Sequence, residues 1–150
     1  DVTKYNYNFG EIIKLNGLTV GLHKIKVIYD GDENFTRSAS TIIIKVNKLN
    51  PNINVSHIKT ITKDVIIDVE LDRNVSGNIK ININNNEYSK QISNNRIRFY
   101  INDLPPGEYN YTVTYSGDKI FNSASFANNL SVQIRNANIK INNHFFMSFS

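Results

Sequence analysis

Two Gly-Asp pairs, each set between aromatic residues, invite a chemical reading first. Residues 29–35 read Y-D-G-D-E-N-F and residues 115–121 read Y-S-G-D-K-I-F. A carboxylate in a glycine loop is one element of a calcium site. Calcium, however, takes six to eight oxygens, commonly from several carboxylates. The first phrase supplies Asp30, Asp32 and Glu33, whereas the second supplies only Asp118, followed by Lys119 and Ile120. A turn explains every matched residue without a ligand. Gly31 and Gly117 provide the positive φ of a tight turn. Asp32 and Asp118 close an Asx-turn on backbone two residues on. Tyr29 with Phe35, and Tyr115 with Phe121, pack beneath it. The expectation is a structural turn with no metal.

Catalytic chemistry has little to work with. General acid–base catalysis needs paired carboxylates or a histidine with a partner. The three histidines, His23, His57 and His144, are far apart in sequence, and no H-x-x-x-H, G-x-S-x-G, G-x-x-x-x-G-K or G-x-G-x-x-G occurs. The absence of cysteine excludes disulfides, thiolate metal sites and cysteine nucleophiles. The expectation is no catalytic residue, no cofactor and no enzyme activity. Five N-x-[ST] triplets, at Asn34, Asn54, Asn74, Asn110 and Asn129, are candidate N-glycosylation sites. All five fall on outward strand positions or loops by pattern, and Asn110 is the best placed.

The elements that hold these residues follow from a repeat. Placing Leu18 on Leu104, an offset of 86 residues, aligns Gly21 with Gly107, Val27 with Val113 and Tyr29 with Tyr115 without a gap. It continues through Gly31 and Gly117, Asp32 and Asp118, Phe35 and Phe121, to Val46 and Val132. Self-similarity at a fixed period is the mark of a repeat architecture. One complete unit then spans 47–135. Residues 1–46 are the C-terminal half of a preceding unit, and 136–150 the first strand of a following one or a donor strand. The chain opens and stops mid-pattern, as a segment of something longer or one subunit of a polymer.

Within the unit, apolar residues alternate with polar ones. Val65, Ile67, Val69 and Leu71 share a face, as do Ile79, Ile81 and Ile83, then Ile97, Phe99 and Ile101, then Tyr109, Tyr111, Val113 and Tyr115, and last Leu130, Val132 and Ile134. Turn signals separate them: V-S-G-N (75–78), N-N-N-E (84–87), S-N-N-R (93–96), P-P-G-E (105–108) and S-G-D-K (116–119). No stretch carries helical apolar spacing over two turns. About seven short strands in fewer than 90 residues predict an all-β, immunoglobulin-like Greek-key β-sandwich. Tyr109 then takes the corner position at the start of the sixth strand, where a tyrosine hydroxyl bonds back to the preceding turn. His23 holds that place in the first copy, a polar-tipped substitute in preference to a metal ligand.

Leu104 to Ser125, preceded by S-G-N-I-K-I-N-I-N-N-N-E-Y-S-K (76–90), resembles the immunoglobulin-like repeats of adhesin-like cell-surface proteins, abundant in methanogenic archaea and present in many bacteria. Leu18 to Ser38 matches again, with His23 in place of the tyrosine. The resemblance implies a surface array: extracellular, non-catalytic, with neighbouring repeats or identical subunits as protein partners and a cell-surface glycan as a further candidate. It carries over no ligand and no catalytic residue.

Charge agrees with a solvated outer face. The net charge is +4 from 17 basic and 13 acidic residues, and the basic residues are dispersed. A nucleic-acid groove would cluster them on one face. No apolar run approaches the roughly 18 residues of a membrane span. Three roles follow: a stalk repeat of an adhesin-like protein, a filament subunit, or a carbohydrate-binding accessory module. The filament would polymerise by donor-strand addition through Ile139, Ile141, Phe145, Phe146, Met147 and Phe149. For the third role, Tyr88 and Tyr100 are the aromatics not assigned to the core.

Overall fold

A computed structural model describes residues 6–8, 10–59, 63–72 and 75–133. Nine strands and no helix are present among them, so the chain is all-β. β1 (Gly21–Tyr29) and β2 (Ser38–Val46) form a two-stranded antiparallel sheet. β3 (Ile53–Lys59), β4 (Val65–Leu71), β5 (Asn78–Ile83), β6 (Asn86–Gln91), β7 (Arg96–Ile101), β8 (Gly107–Tyr115) and β9 (Ala124–Val132) follow. These seven make two further sheets, ordered β3-β4-β7 and β6-β5-β8-β9. All named strand pairs are antiparallel. The chain changes sheet between β4 and β5, again between β6 and β7, and again between β7 and β8.

Alternation explains why the two sheets face each other. In β4, β5, β7 and β8 every second residue is apolar and buried: Val65, Ile67, Val69 and Leu71; Ile79, Ile81 and Ile83; Ile97, Phe99 and Ile101; Tyr111, Val113 and Tyr115. Leu104 and Leu130 complete one continuous core. A strand presents alternate side chains to opposite faces, so one face of each sheet is apolar and the pair can close.

Two details depart from the sequence expectation. β6 lies in N-E-Y-S-K-Q, where only Tyr88 of the alternating positions packs on the core. Asn84 and Asn85 carry φ of 49° and 60° and turn the chain from β5 into β6. Both residues with positive φ define the type I′ hairpin turn, a conformation asparagine tolerates better than other non-glycine residues. β9 begins at Ala124, five residues before the apolar alternation does. Its first half pairs with β8 through backbone and packs Phe126 alone on the core, too little to set an alternating pattern.

The β1–β2 hairpin has the same bounds as β8–β9 at the 86-residue offset: Gly21–Tyr29 against Gly107–Tyr115, and Ser38–Val46 against Ala124–Val132. The registers agree too, Gly21 opposite Val46 as Gly107 is opposite Val132. Their environments differ. In β8–β9, Tyr111, Val113, Tyr115 and Leu130 are buried. Of the corresponding residues in β1–β2, Val27 and Tyr29 are exposed and Ile25 and Ile44 only half-buried, and Ile43 on the opposite face is 70% exposed.

Candidate functional site: two turns and the segment that joins them

The second Gly-Asp turn sits at one end of the two facing sheets. Gly117 has φ +77°, and a Cβ there would lie 2.8 Å from Ser123 N. Asp118 N donates to Phe121 O at 3.1 Å. The Asp118 carboxylate then accepts four bonds. Its Oδ1 takes Ile120 N (2.8 Å) and Phe121 N (2.7 Å), and its Oδ2 takes Ser76 N (2.9 Å) and Ser76 Oγ (3.2 Å). Partial burial pushes this carboxyl upward, but the bonds from Phe121, Ser76 and Ile120 outweigh it and hold the group well below the usual carboxylate range. Tyr115, fully buried, donates to Ser76 O at 2.9 Å. Burial, with the Asp118 charge nearby, pushes its phenol up to about 12. One carboxylate thus ties the β8–β9 turn to the β4–β5 turn.

The first turn has the same frame and a different closure. Gly31 has φ +90°, and a Cβ there would meet Phe35 O at 2.8 Å. Asp32 N donates to Phe35 O at 2.9 Å, and Asp32 Oδ1 accepts Asn34 N and Phe35 N at 2.8 and 2.9 Å. No counterpart of Ser76 stands beside it among the described residues. Tyr29 instead donates its hydroxyl to Asp32 Oδ2 at 2.5 Å. That bond, then the Asn34 and Phe35 amides, lowers the Asp32 carboxyl, and the same Tyr29–Asp32 bond raises the Tyr29 phenol. The aromatics differ in burial as well. Phe121 packs against the core, whereas Phe35 is 67% exposed.

The segment between β2 and β3 is pinned to the second turn. Leu49 N donates to Ile120 O and Asn122 N to Leu49 O, both at 2.8 Å, forming a parallel bridge between Leu49 and Phe121. Lys48 Nζ donates to Asp118 O. Asn122 Nδ2 donates to Asn50 Oδ1 at 2.9 Å. Two residues on, Asn52 N and Nδ2 donate to the Asp72 carboxylate at 2.7 and 3.1 Å. A groove of about 410 Å³ lies where Val20, Gly21 and the Lys45–Lys48 segment meet Asn122.

The corner residues make matching contacts. Tyr109 donates its hydroxyl to Pro105 O at 2.7 Å, four residues back. His23 places Nε2 2.5 Å from Thr19 O, also four residues back and at the same offset. Asn34, Asn54, Asn110 and Asn129 are exposed. Asn110 stands directly opposite Asn129 across β8 and β9. Asn74 and the candidate donor residues Ile139, Ile141, Phe145, Phe146, Met147 and Phe149 lie outside the described residues.

Sequence reasoning did not single out Asp68. It sits on the outward face of β4 yet is buried beneath Arg98, whose Nε and Nη2 donate to its two oxygens at 2.7 Å. Arg96 Nη2 adds a 3.6 Å contact. Arg98 holds the Asp68 carboxyl low against the opposing effect of burial. The signal was a carboxylate at the centre of V-I-I-D-V-E-L facing R-I-R-F-Y-I, but only the register Asp68↔Arg98 makes it a pair. Beside it Tyr100 is 57% exposed, while Tyr88 packs partly on the core.

Among the described residues, no three of His, Cys, Asp and Glu are grouped to hold a metal ion, and no helix is long and apolar enough to cross a membrane. The arrangement orders backbone and fixes one segment against another. Comparison of the chain with protein-family models, with curated proteins and with solved structures finds no match to any of them.

Proposed function

We propose that the chain is a non-catalytic, force-carrying segment of an extracellular array: immunoglobulin-like Greek-key units in tandem, forming the stalk of an adhesin-like cell-surface protein. The sheet orders β3-β4-β7 and β6-β5-β8-β9 are those of a seven-stranded sandwich in which the fourth strand has joined the second sheet. One observation carries the array: β1–β2 repeats β8–β9 strand for strand, register for register and turn for turn at one offset.

The pinned segment suits a stalk. Residues 48–50 run parallel to 120–122, the first leading into β3 and the second into β9. Tension on the two ends of the unit drives these stretches in opposite directions along their length. The bonds of Leu49 with Ile120 and Asn122 are then loaded together, in shear, and cannot be peeled one by one. Neighbouring repeats are the protein partners on this reading, and the exposed sequons, Asn110 above all, are the glycan-bearing positions.

Single-molecule pulling on the chain held by its two ends tests this. Asn122→Pro removes the amide that bonds Leu49 O and the side chain that bonds Asn50, and it should lower the unfolding force of the 47–133 unit clearly while chemical stability falls by only about 1–2 kcal/mol; Asn122→Ala, which removes the side-chain bond alone, should leave most of the force. An unchanged unfolding force would remove the mechanical basis of the proposal.

A further inference from the structure

The outward face of β5 and β8 holds a shallow groove that neither Gly-Asp turn uses. Its volume is about 540 Å³, within the range of small-molecule clefts, and Asn82, Asn84, Asn85, Glu108, Asn110 and Thr112 line it. Asn82 stands directly opposite Thr112 in the β5–β8 pair, and Asn110 and Glu108 follow at two-residue steps on the same face. Among the described residues, no hydrogen bond or ion pair uses the side chains of Asn82, Asn84, Asn85, Glu108 or Asn110. Four amides and a carboxylate therefore line one groove with their bonding capacity open. Two observations set this lining apart from the polar surface around it. The β5–β6 turn is of type I′, whose second position favours glycine, yet Asn85 holds it at φ 60°. A side chain is kept beside the groove against the preference of the backbone. At the 86-residue offset, Glu108, Asn110 and Thr112 of β8 become Leu22, Lys24 and Lys26 of β1. This is a difference of residue type, so the amide lining belongs to the 47–133 unit and not to the strand frame that the two hairpins share.

An amide both donates and accepts, as a sugar hydroxyl does, and a carboxylate accepts from two neighbouring hydroxyls at once. The lining holds one charge and no exposed large hydrophobic side chain, which suits a neutral ligand dense in hydroxyls. We propose that this groove binds a neutral pyranose sugar. The Asn82, Asn84, Asn85 and Asn110 amides pair with its hydroxyls, and Glu108 spans two of them. The site goes beyond the stalk reading and needs no second unit. A sugar can reach it from two sources, a glycan linked to Asn110 itself or a glycan of another molecule, and the chemistry at the groove is the same.

The probes are the methyl glycosides of glucose, galactose, mannose and N-acetylglucosamine, titrated into the full 150-residue chain made without glycans and labelled with ¹⁵N. At least one should move the side-chain amide signals of Asn82, Asn84, Asn85 and Asn110 saturably, with a dissociation constant on the order of 10 mM for so shallow a site. Asn85→Gly gives the turn its preferred residue and should keep the fold, yet weaken that binding about threefold to tenfold, the worth of a hydrogen bond. No saturable movement with any of these glycosides, movement spread over asparagines away from the groove, equal movement with glycerol, or equal binding by Asn85→Gly would overturn the proposal. A chain carrying a glycan on Asn110 separates the sources. Nuclear Overhauser contacts from that glycan to the Asn85 side chain name the attached sugar as the occupant. Their absence, with a free glycoside still bound, names a glycan of another molecule. The Asn122→Pro force effect is independent of all these results, so loss of the groove leaves the stalk reading standing.

Discussion

Asp118 concentrates more of the structure's polar bonding than any other side chain at its end of the sheets, and its removal should be felt there first. Asp118→Ala leaves the Ile120, Phe121 and Ser76 amides to find water, at a cost of about 2 kcal/mol in urea unfolding. The pH dependence has a definite sign. A carboxyl whose folded pKa lies below its unfolded value of about 3.9 contributes stability that is present above that value and lost as pH falls through the folded one. Asp118, Asp32 and Asp68 are all shifted this way. Stability should therefore be flat near neutrality and fall below about pH 4, and Asp118→Asn should make the acid limb shallower without abolishing it. Gly117→Ala puts a Cβ 2.8 Å from Ser123 N at φ +77°. It should cost at least about 1 kcal/mol, measured by the thermal midpoint. The turn reading of these residues was available from Gly-Asp chemistry alone. What the sequence concealed was the partner of each carboxylate. Ser76 is 42 residues from Asp118 and Arg98 is 30 from Asp68, and only the strand registers bring them together.

Strands differ in how plainly their sequences declare them, and the same physics sets how much each contributes. β4, β5, β7 and β8 alternate apolar and polar because one face is buried, so both their existence and their inward residues were legible. β6 and the first half of β9 lie at sheet edges with little apolar surface to bury, so they left only a turn signal or none. The Leu49 bridge was invisible for a further reason, being made by backbone groups that any residue but proline carries. The contrast can be measured. Ile81→Ala empties a fully buried position and should cost about 3–4 kcal/mol in chemical denaturation. Ile43→Ala, on the open hairpin, should change the same transition by less than about 0.5 kcal/mol.

At the scale of the whole chain, the hairpin and the two facing sheets form an unequal pair. A two-stranded sheet with both faces open is marginal on its own, because it gains backbone bonds but buries little apolar surface. Residues 21–46 nevertheless carry Ile25, Val27, Tyr29, Ile42, Ile44 and Val46 in the places that β8 and β9 fill with Tyr111, Val113, Tyr115, Asn128, Leu130 and Val132. On the tandem reading we propose, a sheet like β3-β4-β7 covers that pattern and a strand like β5 pairs with β1. The offset of 86 was legible in the sequence because the two hairpins share their turn residues and their alternating apolar positions. The difference in burial between its two copies was not, since it depends on which elements stand nearby.

The most direct test is to supply those elements. A chain in which residues 47–106 are joined to Gly21, ahead of residues 21–150, places a copy of β3 to β7 before β1. Hydrogen exchange read strand by strand then decides the matter. The tandem account predicts that amides of β1 and β2 exchange fast in the present chain and in the extended one become as protected as those of β8 and β9, with a second cooperative unfolding unit. Exchange in β1 and β2 as fast as before, with the added segment itself unprotected, would contradict it.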